Sequence, residues 1–254
     1  MVDWLLVWGT LLVALVALVQ PWAIALWRYL FRQAQIDIYE TGLIEIGFSS
    51  FGPTIGLHGS IFAQHQNVFV KSAEIRLTRD RDQAKHVFQW GLFRSPILFP
   101  SPGAMRLCAG MSLPKNSAQQ YNILFWDRDT QEHMRPLIDV VREAWMGELV
   151  PIGSPAALDP TTVQAIYQNF SQAPLHVDTY TVLGRLCYWE AGDYVLELCI
   201  QSVQPKAPFT KKWKFCLTAR EADYVRINVL RILQDTCGQP VTPWHFAYLK
   251  YMPT

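Results

Sequence analysis

The sequence predicts a single N-terminal transmembrane helix followed by a mostly-β domain, a β-sandwich, which passes into a C-terminal part of mixed α and β structure. Residues 4–27 contain no charged side chain. Several segments between residues 43 and 125 alternate apolar and polar residues, as half-buried strands do. Beyond residue 136, apolar residues recur at helical spacing in some segments. These patterns divide the chain into a transmembrane anchor (1–32), a sandwich (33–127) and an α+β region (128–254).

The uncharged run at the start is long enough to cross a bilayer. Its 24 residues would form a helix about 36 Å long, against a hydrocarbon core of about 30 Å. Tryptophans lie near both ends, as in the aromatic belts of membrane proteins, and two arginines follow. The candidate anchor residues are these aromatic and basic ones: Trp4, Trp8, Trp22, Trp27, Arg28 and Arg32.

Two alternatives compete with an anchor. A cleaved signal peptide is suggested by the small residues Ala23 and Ala25, but the run is preceded by Asp3 rather than by a basic residue, and it exceeds the usual apolar core of a signal peptide. A buried core helix would need a polar face, which residues 11–19 lack. Because the basic residues follow the run, we expect the N-terminus outside a cell (inner) membrane and the bulk of the chain in the cytoplasm.

Composition limits the possible partners. The formal net charge is +1, and no basic stripe is present, which argues against nucleic acid. The five cysteines form no CxxC pair, so no disulfide framework is indicated and free thiols in a reducing compartment are expected.

The β pattern is clearest in the first half of the chain. Segments 43–48, 54–64, 68–78 and 85–93 read as strands, and 104–113 and 119–125 as two more. The alternation slips at Lys71 and Ser72, which predicts a β-bulge. Short turns join these strands, and this arrangement is typical of an immunoglobulin-like β-sandwich.

An apolar stretch interrupted by prolines follows the fourth strand. Prolines prevent a central strand there, so the stretch is either tucked beneath the domain or exposed as a contact surface for membrane or partner. The residues of this candidate contact loop are Phe93, Ile97, Leu98 and Phe99.

The second half mixes helices and strands. A helix is predicted at 136–149, with Pro136 in its first turn, and another after Asp159, which is a suitable N-cap. Segments 176–189, 194–203 and 213–217 read as strands. Thr218 and Glu221 have the spacing of a capping box and predict a helix that extends to residue 236.

No catalytic signature is present. The sequence lacks GxGxxG, the P-loop motif and HExxH, and residues 47–52 lack the GxSxG spacing of a nucleophile elbow. We therefore expect no enzyme, no cofactor and no metal site. The predicted function is that of a membrane-anchored accessory or scaffold subunit whose partners are membrane lipid and other membrane-protein subunits. A lipid- or solute-binding domain is the alternative, followed by a hydrolase-like enzyme with a composite site.

Overall fold

The structure is a computed structural model that describes residues 2–31, 35–94, 105–151, 159–203, 209–240 and 243–253. Its helices are α1 (Val2–Phe31), α2 (Arg128–Leu149), α3 (Pro160–Phe170), α4 (Pro174–Leu186), α5 (Ala219–Arg226) and α6 (Asn228–Thr236). Its strands are β1 (Gln35–Ser49), β2 (Gly52–Gln64), β3 (Val68–Arg79), β4 (Lys85–Arg94), β5 (Met105–Leu107), β6 (Met111–Leu113), β7 (Ala118–Trp126), β8 (Gly192–Ser202), β9 (Phe209–Leu217) and β10 (Ala247–Pro253).

Eight of these strands close into an antiparallel barrel. Their order is β4–β7–β2–β1–β10–β9–β8–β3, and the β3–β4 pairing, with Ile75 opposite Phe88, closes the circle. The short strands β5 and β6 extend the sheet from β4 and β3. Both ranges 33–127 and 128–254 supply strands to this one sheet.

Most of the barrel interior is an apolar core. Alternate residues of each strand point inward, as in β1, where Ile44, Ile46 and Phe48 are fully buried. An eight-stranded barrel has an interior just wide enough for side chains to fill. The burial of these alternating residues is therefore what holds the sheet in its closed form.

Helices cover one end of the barrel. The register places the end of β7, the start of β8, the end of β9 and the start of β10 at the same end, so α2, α4, α5 and α6, which connect these strands, gather there. Helices α2, α4 and α6 pack on one another and α6 packs on β1. The chain enters the barrel from α1 at the opposite end, through Gln35.

The predicted fold class is wrong in two respects. The sheet is a closed barrel, and not a β-sandwich of immunoglobulin-like type, because β8 and β10 from the second half pair with β3 and β1 from the first. In addition, no helix of the described residues is long and apolar enough to span a membrane, which overturns the single-pass transmembrane prediction. The length of an uncharged run correctly located a helix, α1, but it is only a necessary condition for crossing a bilayer.

The helices and strands confirm some of the local predictions and contradict others. The bulge is confirmed, since the β3–β8 register shifts between Val70 and Ser72. The capping box of Thr218 and Glu221 is confirmed, and so is the Asp159 cap. The prediction of a strand at 176–189 is wrong, because most of that segment is α4. Pro136 lies inside α2 rather than in its first turn, since α2 already begins at Arg128.

Candidate functional site

The surface of α1 is the most unusual feature of the molecule. Every side chain from residue 13 to residue 27 is exposed, which is more than four turns of helix with no covered face. Gln20 is the one polar residue among them. The large apolar side chains exposed between residues 13 and 27 are Val13, Leu15, Val16, Leu18, Val19, Trp22, Ile24, Leu26 and Trp27.

Uncovered apolar surface of this size carries a free-energy cost. Burying one large apolar side chain completely is worth about 1.5–3 kcal/mol. The nine side chains are each roughly half exposed or more, so covering them would stabilise the system by about 10 kcal/mol in total. A helix that is apolar all round is normally buried in a core or in lipid, and the described part of the chain supplies no such cover.

The predicted anchor residues fall on this helix or next to it. Trp8, Trp22 and Trp27 are exposed, with Trp22 at 77%. Trp4 and Arg28 belong to α1, but the structure does not describe their side chains. Arg32 lies outside the described residues. Their role in a membrane contact stays a prediction.

The predicted contact loop is only partly described. Phe93 lies in β4, half-buried, with its ring 5.8 Å from that of Trp90 in an edge-to-face arrangement. It therefore packs against the barrel core rather than standing free. Ile97, Leu98 and Phe99 lie outside the described residues, so their contacts stay a prediction.

A small apolar cavity lies in the barrel interior. Its volume is about 20 Å³, and it is lined by residues that include Ile38, Leu57, Tyr121 and Ile200. A cavity needs about 10–15 Å³ to hold one water molecule. By this measure the cavity is close to filled by its own side chains.

A polar cluster lies beside this cavity, inside the barrel. Lys211 forms an ion pair with Glu40 and donates a hydrogen bond to the carbonyl oxygen of Ile38 at 3.1 Å. Tyr251 accepts a hydrogen bond from the backbone N–H of Gly42 at 3.2 Å. Burial and the charge of Glu40 raise the pKa of Tyr251 to about 12. These contacts hold the irregular segment of β1 between Glu40 and Ile44 against β9 and β10.

A second charged cluster lies on the outer side of β1. Glu45 is only 3% exposed and is held by Arg94 Nη1 at 2.6 Å, with His58 Nε2 at 3.7 Å. Burial alone would raise the pKa of Glu45, but His58 and Arg94 outweigh it and the pKa lies below its usual value. Gly56 leaves the space that this carboxylate occupies, since a Cβ there would lie 3.0 Å from that of Glu45.

Asp127 is the centre of the cluster that most resembles a catalytic arrangement. Its carboxylate accepts hydrogen bonds from the N–H and the hydroxyl of Thr130 and from the hydroxyl of Tyr188. His86 stacks on Tyr188 with ring centroids 3.7 Å apart, but its Nδ1 is 3.9 Å from Asp127, which is too long for a hydrogen bond.

The Asp127 cluster has a structural explanation. Asp127 is the N-cap of α2, and three donors satisfy the carboxylate without a substrate. No serine or cysteine nucleophile is hydrogen-bonded to His86 in the described part of the chain. In the sequence alone, Asp127 at the end of a strand is also compatible with a turn. The helix cap could have been recognised from Thr130, because an N-cap side chain accepts a hydrogen bond from the backbone N–H three residues later.

Neither a metal centre among the described residues nor a related protein identifies the site. In the described ranges, no group of three or more His, Cys, Asp and Glu side chains is placed to hold a metal ion. A comparison with known proteins gives no match to any family model, curated protein or solved structure. The function must therefore be inferred from the chain's own surfaces.

Proposed function

We propose that this protein is a non-catalytic accessory protein that associates with membrane lipid through α1 and uses its barrel to bind a partner protein at that surface. The observation that carries the proposal is the exposure of every side chain from residue 13 to residue 27 of α1. The proposal concerns contact with lipid, and it does not depend on α1 crossing the bilayer.

The apolar surface favours lipid over water as the neighbour of α1. Trp22 and Trp27 are well exposed, and tryptophan prefers the boundary between headgroups and acyl chains. An accessory role is favoured because confinement to a surface raises the effective concentration of the barrel beside any partner held there. The barrel's outer surface is then available for that partner.

A solute-binding barrel is less well supported. Eight-stranded barrels that carry ligands hold a small molecule inside, whereas the cavity here is about 20 Å³. Lys211 and Glu40, the charged groups beside it, already satisfy one another. The geometry thus supports contact through outer surfaces better than transport of a solute.

Flotation of the full chain with vesicles of neutral phosphatidylcholine tests the lipid contact. We expect the wild-type chain to float with the vesicles. The double variant Leu18→Glu/Leu26→Glu, which places two charges on α1, should stay at the bottom of the gradient. Val87 and Val140 are exposed elsewhere, so Val87→Glu/Val140→Glu adds the same charge as a matched control and should float. A wild-type chain that does not float, or an α1 variant that floats equally well, would overturn the proposal.

A further inference from the structure

The outer side of β9 and β10 carries a compact group of exposed lysines and apolar side chains. We call it the basic face and define it by Lys212, Lys214 and Lys250 together with Leu43, Tyr248 and Met252. All six side chains are exposed. Their orientation follows from the alternation of the strands, since Trp213, Phe215, Ala247 and Leu249 between them are buried in the barrel.

The strand register brings these residues together. Leu43 on β1 lies opposite Lys250 on β10, and Met252 on β10 lies opposite Lys214 on β9. Residues directly opposite on one face of a sheet have Cβ atoms about 4.5–5.5 Å apart. Each of the two lysines therefore has an apolar neighbour across the strand, so charge and apolar surface alternate on the face.

The face is more positive than the chain as a whole. Neither β9 nor β10 contains an acidic residue. The nearest pairing carboxylate is Glu197 on β8, which is 3.2 Å from Lys212. Three lysines and this one carboxylate leave a local charge of +2, whereas the whole chain carries +1.

The carboxylates of β1 do not neutralise the two remaining lysines. Glu40 points into the barrel and is paired with Lys211, and Glu45 is paired with Arg94. Asp37 accepts hydrogen bonds from Gln35 and Gln64. Among the described residues, neither Lys214 nor Lys250 forms an ion pair, so both charges are available to a partner.

We propose that the basic face binds the headgroups of anionic lipid, so that the barrel lies with β9 and β10 against the bilayer surface. This inference rests on the proposed lipid contact of α1. Stable attachment to a membrane usually takes two signals, one apolar and one basic, and α1 with the basic face supplies both. Lys214 and Lys250 attract the anionic headgroups, while Met252, Leu43 and Tyr248 contact the boundary region beneath them.

The expected size of the effect follows from the number of free lysines. Each lysine held near an anionic membrane surface strengthens binding about fivefold. The two free lysines should therefore give a preference of about 25-fold for anionic over neutral vesicles at low salt. The preference should shrink at high salt, because salt screens exposed charges.

Vesicle binding of the full chain tests the inference, with phosphatidylcholine alone compared with phosphatidylcholine containing phosphatidylserine. Wild type should bind both, with the anionic preference just given. Lys214→Gln/Lys250→Gln should bind neutral vesicles as wild type does and lose the preference. Lys71 and Lys85 are exposed on β3 and β4, so Lys71→Gln/Lys85→Gln is the matched control and should keep it. Near-ultraviolet circular dichroism of all three proteins checks that the barrel is intact.

The outcomes separate the inference from the proposal beneath it. The inference would be overturned by a wild-type chain with no preference for anionic vesicles, or by a Lys214→Gln/Lys250→Gln variant that keeps the preference. In either case, binding of the wild-type chain to neutral vesicles would still support the lipid contact of α1. A wild-type chain that does not bind neutral vesicles would overturn the proposed function instead. An acidic protein as the true partner of the face would show itself as absence of the lipid preference.

Discussion

The hydroxyl of Tyr188 donates a hydrogen bond to the carboxylate of Asp127 over 2.9 Å. Asp127 directly follows β7 and caps α2, whereas Tyr188 lies in the short segment between α4 and β8. The bond therefore ties two connections at the helical end of the barrel that are 61 residues apart in the sequence. Burial, followed by the charge of Asp127, raises the pKa of Tyr188 well above its usual value, so the hydroxyl stays a donor.

Removal of this hydroxyl should destabilise the barrel modestly. In Tyr188→Phe the carboxylate keeps its two bonds from Thr130, so we expect a loss of about 1 kcal/mol in the free energy of unfolding. Urea unfolding followed by tryptophan fluorescence measures it. Tyr180 is exposed on α4, and Tyr180→Phe should leave the unfolding midpoint unchanged. Equal effects of the two substitutions would show that the Tyr188 bond contributes nothing specific.

Local structure was predictable from the sequence where a short-range rule decides it. The slip in alternation at Lys71 and Ser72 is a bulge because a strand has a period of two residues. Thr218 and Glu221 form a capping box because the two side chains satisfy donors within one turn. Pro174 was an available start signal for α4, as proline suits the first helical turn, but the β-branched residues after it favoured a strand prediction.

Closure of the barrel was not predictable in the same way. A strand of a sandwich and a strand of a barrel show the same alternation. The difference lies in pairings such as Ile44 with Leu249 and Ile75 with Leu198, which join residues far apart in the chain. The contacts of Asp127 with Tyr188 and of Glu45 with Arg94 also join residues 61 and 49 positions apart, so no local spacing could have revealed them.

Gly91 is required by the ring of Trp126, and this leads to a second prediction. Gly91 lies where the β4–β7 register shifts, between Trp90 and Leu92. A Cβ on Gly91 would lie 1.6 Å from the Trp126 ring, which is itself stacked on Phe51. Gly91→Ala should therefore cost about 1–3 kcal/mol or more, as overpacking does, and lower the melting temperature by about 2–4 °C per kcal/mol.

A second glycine provides the control for this prediction. Gly147 lies inside α2, and beyond its chain neighbours and its own helix backbone no described atom comes within 4 Å of the position that a Cβ would occupy, so Gly147→Ala should stabilise the protein by about 0.5–1 kcal/mol. Differential scanning fluorimetry of both variants measures the two changes in melting temperature. If Gly91→Ala melts at or above the wild-type temperature, the close approach of Trp126 does not constrain the β4–β7 irregularity.

Acid should weaken the folded state through two histidines. Burial lowers the pKa of His176 below its usual 6.5, and burial, only partly offset by the charge of Asp127, lowers that of His86. Between the folded and unfolded pKa values the unfolded chain binds more protons. Stability is therefore full above pH 6.5 and is lost as the pH falls from there through the folded-state pKa values.

His176→Phe tests this pH dependence. His176 is 3% exposed with its Nε2 unpartnered, and it lies edge-on to Tyr167 and Phe170, so a phenyl ring suits the site. The free energy of unfolding of this variant should fall less steeply with acid than that of wild type. His133 is exposed, and His133→Phe should keep the wild-type slope. If the unfolding free energy of His176→Phe falls with acid as steeply as that of wild type, protonation of His176 is not a cause of the acid destabilisation.

The buried pair of Glu45 and Arg94 should be costly to break. Glu45 is 3% exposed and its contact with Arg94 is 2.6 Å long, so Arg94→Met removes the cation closest to a buried carboxylate and leaves the more distant His58. Breaking a buried pair in this way costs about 3–5 kcal/mol. Arg142 and Asp139 form an exposed pair with the same 2.6 Å separation, and Arg142→Met should cost less than about 1 kcal/mol. Chemical unfolding of the two variants compares them directly. The two pairs differ mainly in burial. A small and equal loss of unfolding free energy in both variants would therefore mean that water or another group compensates the Glu45 carboxylate, and that the Arg94 contact does not hold β4 to β1.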